Sequence, residues 1–330
     1  MKKTLWVLIF LTCSNLTFFA QNLPEWYIDR SFAFPESLYI SATGSGFTQT
    51  AAENDALSNL ALFFESRVSV NKSSELTVLE KLDILAEKTR SVSTGTQVQS
   101  EVLLPCVQFT SPYYDCTADD YYVCAYIKKS DAVKELESEL SQNYTQARSI
   151  LNIAQSSSDP FRSFSRAKAV QKLTVDSSTN LKRLCILDFS KGKEFLKLAD
   201  ELNSKATTLM IQKKQKLSFA VNINGDSDKN ISFSVKNIFE TQGFVCSVNN
   251  PLYLINGEIH FVESEITGVG IFVRPAVSII VESKTNGEVL GSYTKQLPKY
   301  GHKNLDGAYA KANVELEKDL KENLIDSLFE

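Results

Sequence analysis

The residues that invite chemistry are few. Gly44-Ser-Gly46, placed before a helical pattern, has the composition of a phosphate cradle, because backbone N–H groups at a helix start attract anions. It supplies half of a dinucleotide fingerprint, without a third glycine or a lysine, and a plain turn accounts for it. Asp226-Ser-Asp228-Lys-Asn230 matches the opening of a calcium loop. Ile231 then stands where glycine is required and Asn237 where the loop ends in glutamate, so a polar loop is the better reading. Gly192-Lys193 lacks the upstream glycine of a P-loop. The only two histidines, His260 and His302, are far apart, and neither accompanies a serine or cysteine elbow. These residues predict no catalytic group, no cofactor and no metal site.

Five cysteines follow Cys13: Cys106, Cys116, Cys124, Cys185 and Cys246. An odd number leaves at least one thiol free or paired outside the chain. Cys106 and Cys116 flank Ser111-Pro-Tyr-Tyr-Asp115 and form the first candidate disulfide, with Cys116–Cys124 as its rival. Without a Cys-x-x-Cys spacing or a nearby histidine, zinc is a poor alternative. Cys185 and Cys246 lie in apolar runs and suit the core.

The elements that position these residues fall into parts. Met1–Ala20 reads as a secretory leader: Lys2 and Lys3, the apolar run 5–11, then a tail ending at Ala20. Cys13 as a lipidated cysteine is the competing reading. No other run is apolar enough for a membrane span. The chain is therefore expected to be exported, in the periplasm or at the outer membrane. The formal net charge of −4 leaves no basic surplus for nucleic acid.

Residues 38–70 read as strand, glycine turn, amphipathic helix and second strand. Thr50 and Glu53 form a capping box, and Ala52, Ala56 and Leu60 make a small apolar stripe. A further helical pattern at 74–90 and strands at 98–104, 107–109 and 121–127 complete an α+β domain over 24–130, with Trp26 and Tyr27 as an aromatic lead-in packing over its edge. Helical patterns fill 131–214, broken at Ser156–Pro160 and again near 175–180, and predict a helical hairpin or three-helix arm. From 215 to 330 the order is βαβββα. Asn286-Gly287 forms a two-residue hairpin turn, Pro275 pushes part of a strand to an edge, and Ala308 and Ala312 in the last helix repeat the small stripe. The fold class is α+β, two small α/β sandwich modules separated by a helical hairpin arm.

The run Leu38-Tyr-Ile-Ser-Ala-Thr-Gly-Ser-Gly46, followed by Ala51-Ala52, Asp55-Ala56 and Leu60-Ala61, resembles the bacterial surface lipoprotein family that includes lipoprotein-20. That family shares its domain with the N-terminal part of flagellar assembly protein T. The segments Tyr253–Gly257 and Thr285–Val289 are similar to the envelope modules of the TolB N-terminal domain and the curli-secretion lipoproteins. The helical segment departs from the pattern of assembly protein T. The resemblance implies a non-enzymatic envelope protein with no catalytic residues to carry over.

The expected role is protein–protein interaction or envelope assembly, with envelope proteins or a second copy as partner. A module for peptidoglycan or surface glycan is the alternative, and an unrecognised enzyme the third. Tyr113, Tyr114, Tyr121 and Tyr122, together with the apolar face of the arm, form the expected contact surface. The competing reading is that the tyrosines only pack a sheet, where aromatics are favoured in any case.

Overall fold

A computed structural model describes residues 23–70, 104–247 and 249–329, with the side chains of 65–70 left aside. The leader, Cys13, the 74–90 helix and all but Leu104 of the 98–104 strand lie outside these residues. The protein is α+β, and its chain forms two compact units, one from 23–63 with 104–132 and one drawn chiefly from 133–329.

In the first unit, β1 (Tyr39–Gly46) pairs along its whole length with β4 (Asp120–Lys128). On the other side of β4 lie the short β2 (Gln108–Phe109) and β3 (Tyr113–Asp115), all antiparallel. Ile40 and Ala42 are buried on one face of β1 beside Ile127 and Ala125 of β4. That face takes helix α3 (Gln49–Val70), whose Ala52, Ala56 and Leu60 are fully buried.

Gly44 and Gly46 belong to β1 and not to a turn. A Cβ at Gly44 would stand 2.0 Å from the Ala56 nitrogen and 2.5 Å from the Ala52 oxygen. Backbone therefore meets backbone at this crossing, and neither glycine nor cradle space is left over for a ligand. Thr48, not Thr50, caps α3: its Oγ1 accepts the Ala51 N–H at 3.2 Å. Helix α3 also runs through the expected second strand at its end. Each further helical residue adds a hydrogen bond, whereas a short lone strand gains none without a partner.

The opposite face of the sheet is covered by the lead-in, α1 (Glu25–Ile28) and α2 (Arg30–Ala33), and not merely approached at its edge. Phe34 stacks on Tyr126 of β4 with ring centroids 4.4 Å apart, and Tyr27 lies against Tyr122 at 5.1 Å. The sheet is thus sandwiched between a helix and an aromatic layer.

The second unit opens with four helices rather than a hairpin or three: α4 (Lys129–Ser156), α5 (Pro160–Asp176), α6 (Ser178–Leu187) and α7 (Phe189–Lys214). Asp159 caps α5, accepting the Arg162 N–H at 3.0 Å, with Pro160 at the first helical position where its missing N–H costs nothing. The pattern read as one long helix divides at Asp188, which is extended and accepts the Lys191 N–H. Leu136, Leu140, Tyr144, Leu184, Leu196 and Leu202 bury against one another between these helices. Gly192 lets α7 pass Cys185, whose Sγ would be 2.5 Å from an added Cβ.

A six-stranded sheet follows. Its path is β10 (Tyr300–His302), β8 (Gly270–Ser283), β7 (Tyr253–Ile266), β5 (Ser218–Asn224) and β6 (Val245–Cys246), with β9 (Val289–Gln296) also pairing β8. Helices α8 (Asn230–Thr241) and α9 (Leu305–Leu328) supply its core face, where Ala308 and Ala312 pack with Val273.

Pro275 sits inside β8, at the gap between the end of β9 and the start of β10. Its carbonyl accepts the Leu297 N–H on that side, so its missing donor falls where no ladder bond is needed. The β8–β9 connection is longer than two residues. Only Gly287 in it has positive φ, and its N–H bonds the Ser283 carbonyl.

Helix α5 belongs to both cores of this unit. Ala167 and Val170 face the helices, while Phe161 and Phe164 enter the sheet core with Phe219, Phe239, Phe244 and Phe329. Lys168 and Asp326 pair at 2.7 Å beside this cluster. The helical segment and the C-terminal sheet thereby share one packed interior.

Candidate functional site

The four tyrosines come together because β3 and β4 form a hairpin. Tyr113 lies opposite Tyr122, and Tyr114 opposite Tyr121. Side chains alternate across a strand, so the two pairs occupy opposite faces. Tyr122 shares its face with Tyr126 and meets the lead-in. Tyr121 lies opposite Gly46, on the face that carries α3.

Tyr113 and Tyr122 are packed under Tyr27, with ring centroids 4.6 Å and 5.1 Å from it. The Tyr27 hydroxyl donates to Asp115 Oδ2 at 3.2 Å. Burial first, then Asp115, raises the Tyr27 and Tyr113 phenols above their ordinary value. The Thr117 N–H holds the Asp115 carboxyl below its own. These shifts keep the phenols protonated and the carboxylate charged near neutral pH, so this trio is no acid–base relay there.

Tyr114 is exposed, whereas Tyr121, like Tyr113 and Tyr122, is half-buried. The Tyr114 and Tyr121 rings lie 5.0 Å apart, and Tyr114, which donates to Asp119 Oδ1 at 2.6 Å, is 38% exposed. That hydrogen bond is the main cause of the raised Tyr114 phenol. Phe47 follows Gly46, the partner of Tyr121, and is 83% exposed. Sequence reading passed over it, although an aromatic residue between a glycine and a helix cap has little chance of reaching the core.

The expected disulfide is not present, since Cys116 is an exposed free thiol. Register explains this correction. Cys106 precedes Gln108, which lies opposite Tyr126, whereas Cys116 follows Asp115, opposite Asp120. Six strand residues separate those positions along β4, about 20 Å at the rise of a strand. A disulfide requires Cα atoms within roughly 7 Å. Cys124 lies four residues from Asp120 along β4, about 13 Å, and is also out of reach of Cys116. Cys124 is also buried, which pushes its thiol up to about 11. Burial likewise raises Cys185 and Cys246 to about 11, so none of these three is a ready thiolate.

The remaining chemical candidates take structural places. Asp226 accepts both the Ser232 N–H and its hydroxyl at 2.7 Å, closing the first turn of α8. His260 lies exposed beside Glu258 at 3.1 Å, and His302 Nδ1 contacts Asn304 Oδ1 at the cap of α9. Among the described residues no group of three or more His, Cys, Asp or Glu side chains is arranged to hold a metal ion. Much of the apolar face of the helices is taken up by their own core, while Ile153 and Ile211 are exposed. Among the described residues no helix is long and apolar enough to cross a membrane.

No family model matches the chain, and no curated protein matches it. The lipoprotein-20 resemblance accordingly has no family model behind it. The similar solved structures include bacterial secreted proteins and lipoproteins. The secreted protein HP1454 of Helicobacter pylori is 12% identical, over 86% of this chain and 97% of that one, with a TM-score of 0.42. A minor lipoprotein of Acinetobacter baumannii is 13% identical over 34% of this chain and 90% of that one, with a TM-score of 0.28. Lipoprotein GNA1162 of Neisseria meningitidis is 10% identical over 31% and 99%, with a TM-score of 0.23.

Proposed function

We propose that this is a non-enzymatic, exported cell-envelope protein that acts by protein–protein contact through the end of the first sheet that carries Tyr114, Tyr121 and Phe47. The observation that carries this reading is the division of the tyrosines. Tyr113 and Tyr122 are used in packing under Tyr27, while Tyr114 and the 83% exposed Phe47 remain at the surface. Large aromatic residues with a polar tip are favoured in contact surfaces because they bury much area with little loss of side-chain freedom. The leader-like Met1–Ala20 supports export.

The test is site-specific photo-cross-linking of the full chain in the envelope fraction, with the cross-linker at position 47 and, as control, at the exposed Val314. A discrete adduct from position 47 alone, lost in the Tyr114→Ser/Tyr121→Ser variant while circular dichroism is unchanged, is expected. Recovery as a lone monomer from both positions overturns the reading.

A glycan-binding reading draws on an open groove of about 570 Å³ in the second unit, lined by Gln155, Ser204, Lys205, Thr208, Gln212 and Lys213 among others. Amides, hydroxyls and amines suit an acidic saccharide. Co-sedimentation with purified peptidoglycan tests it, and a Lys213→Glu/Gln212→Ala variant that sediments equally well removes it.

A further inference from the structure

The geometry points to the outer half of β7 as a strand-addition site for an extended partner segment in which basic and apolar residues alternate. This surface is in the second unit and stands independently of the tyrosine end.

Strand β7 pairs with β8 over its full length, Tyr253 to Ile266. Its other neighbour, β5, accompanies it only from Tyr253 to Glu258. Residues 259–266 therefore have a ladder on one side alone among the described residues. The direction of their backbone groups follows from two observations. Leu297 bonds the Pro275 carbonyl on the far side of β8, so Phe261, the partner of Pro275, turns its own N–H and C=O away from β8. The Ile259 oxygen lies 2.2 Å from where a Cβ would sit on Gly225, just past the end of β5. Alternation then aims the N–H and C=O of Phe261, Glu263 and Glu265 into the open edge.

Of the other sheet edges, the outer side of β5 is, among the described residues, unpaired over 220–224, beyond its two-residue ladder with β6, and carries no acidic side chain; the rest are closed or short. Along β1, Asp55 accepts the Ser45 N–H at 2.9 Å and Asn59 donates to the Thr43 carbonyl at 3.0 Å, so α3 occupies that edge. Strands β2, β3, β6 and β10 have two or three residues each. The remaining long edge strand, β9, carries Lys295, a residue that discourages strand pairing, and at Gly291 the Leu328 carbonyl would stand 2.0 Å from a Cβ.

The side chains beside the β7 edge describe the occupant. Glu263 and Glu265 project on one face, and Tyr309 donates to Glu263 at 2.7 Å. Val262 and Ile266, 55% and 50% exposed, project on the other. The same strand carries Glu258 and His260, Arg274 pairs opposite Val262, and Gly225, which meets Ile259, is followed in the chain by Asp226, Asp228 and Lys229. An incoming strand with Lys or Arg facing Glu263 and Glu265 and apolar residues facing Val262 and Ile266 pairs favourably on both faces. In an antiparallel pairing centred on Glu263, a second copy would set Glu263 against itself. The open edge continues the line of β5, so an added strand would take the place β5 leaves, which fits an extended segment.

The test measures binding to the full chain by fluorescence anisotropy, using labelled synthetic peptides of alternating Lys and Val and of alternating Glu and Val. The Lys/Val peptide is expected to bind at least about tenfold tighter than the Glu/Val peptide. Glu263→Pro removes one outward donor without touching the β8 ladder and should abolish that binding with circular dichroism unchanged. Should this variant misfold, Glu263→Lys/Glu265→Lys decides, because it should invert the preference between the peptides. Equal affinity for both peptides, or a preference unmoved by charge reversal, overturns the proposal. Concentration-dependent dimers lost in Glu263→Pro, without peptide binding, assign the edge to a second copy and overturn the stated occupant.

Discussion

Phe161 and Phe329 stack with ring centroids 4.6 Å apart and planes inclined by 22°, and each is 1% exposed. One comes from the first turn of α5, the other from just beyond α9. Between them they join the helical segment to the C-terminal sheet, with Phe164 and Phe244 packed around Phe329.

Truncating Phe329 to alanine removes the ring that both elements share. We expect a loss of about 3–5 kcal/mol, the range for a large buried aromatic. Chemical denaturation checks it, with the helical signal and tyrosine fluorescence followed together. The two probes should move in one transition. A helical signal that melts separately, unaffected by the substitution, would contradict the shared core.

At Gly44 the smallest possible addition is already too large. Gly44→Ala places a methyl group against the backbone of α3, 2.0 Å from the Ala56 nitrogen, and neither strand nor helix can yield locally. The expected cost is about 1–3 kcal/mol or more. Near-ultraviolet dichroism from the tyrosine layer, recorded alongside thermal melting, reports whether the helix has lifted from the sheet.

Asp55 and Asn59 close the β1 edge with side chains one turn apart on α3. Replacing both by alanine leaves the Ser45 N–H and Thr43 carbonyl without these partners. Concentration-dependent association should rise, as bare strand edges invite pairing. Light scattering over a dilution series reads this, and a monodisperse double variant would show that the edge is protected by something else.

Tyr253 carries an alkaline signature. Its hydroxyl accepts the Phe161 N–H and contacts Asp159 Oδ1, each at 3.2 Å, and burial pushes its phenol up to about 12. The folded protein holds this proton more tightly than the unfolded chain, whose tyrosine ionises near pH 10. The stabilising contribution is complete below about pH 10 and is lost as the pH rises toward 12. Denaturation midpoints should therefore fall across that interval in the wild type. Tyr253→Phe should flatten the fall, with buried Tyr144, raised by burial, and Tyr293, raised by burial and by Asp319, among the groups that account for what remains.

Local signals were legible without coordinates. Asp159-Pro160 announces a capped helix, because an accepting side chain and a missing donor suit the first turn wherever it lies. The alternation along 121–127 and the stripes Ala52/Ala56 and Ala308/Ala312 likewise mark faces that must be buried. Asp188 was not legible as a break, since a single polar residue between apolar repeats looks the same inside a helix as between two.

The sequence by itself determined the capped start of α5, the alternation along β4, the small-residue faces and the gathering of aromatics near Tyr113 and Tyr122, all consequences of short-range periodicity. Tertiary structure alone decided which tyrosines are covered, because that depends on where Trp26–Phe34 returns across the sheet. It also decided that Gln108 and Asp115, the strand residues next to Cys106 and Cys116, pair at positions about 20 Å apart along β4, since pairing register is set by contacts distant in sequence. The open edge of β7 has the same origin: its residues read as an ordinary strand, and the vacancy beside them exists only because β5 ends at Asn224.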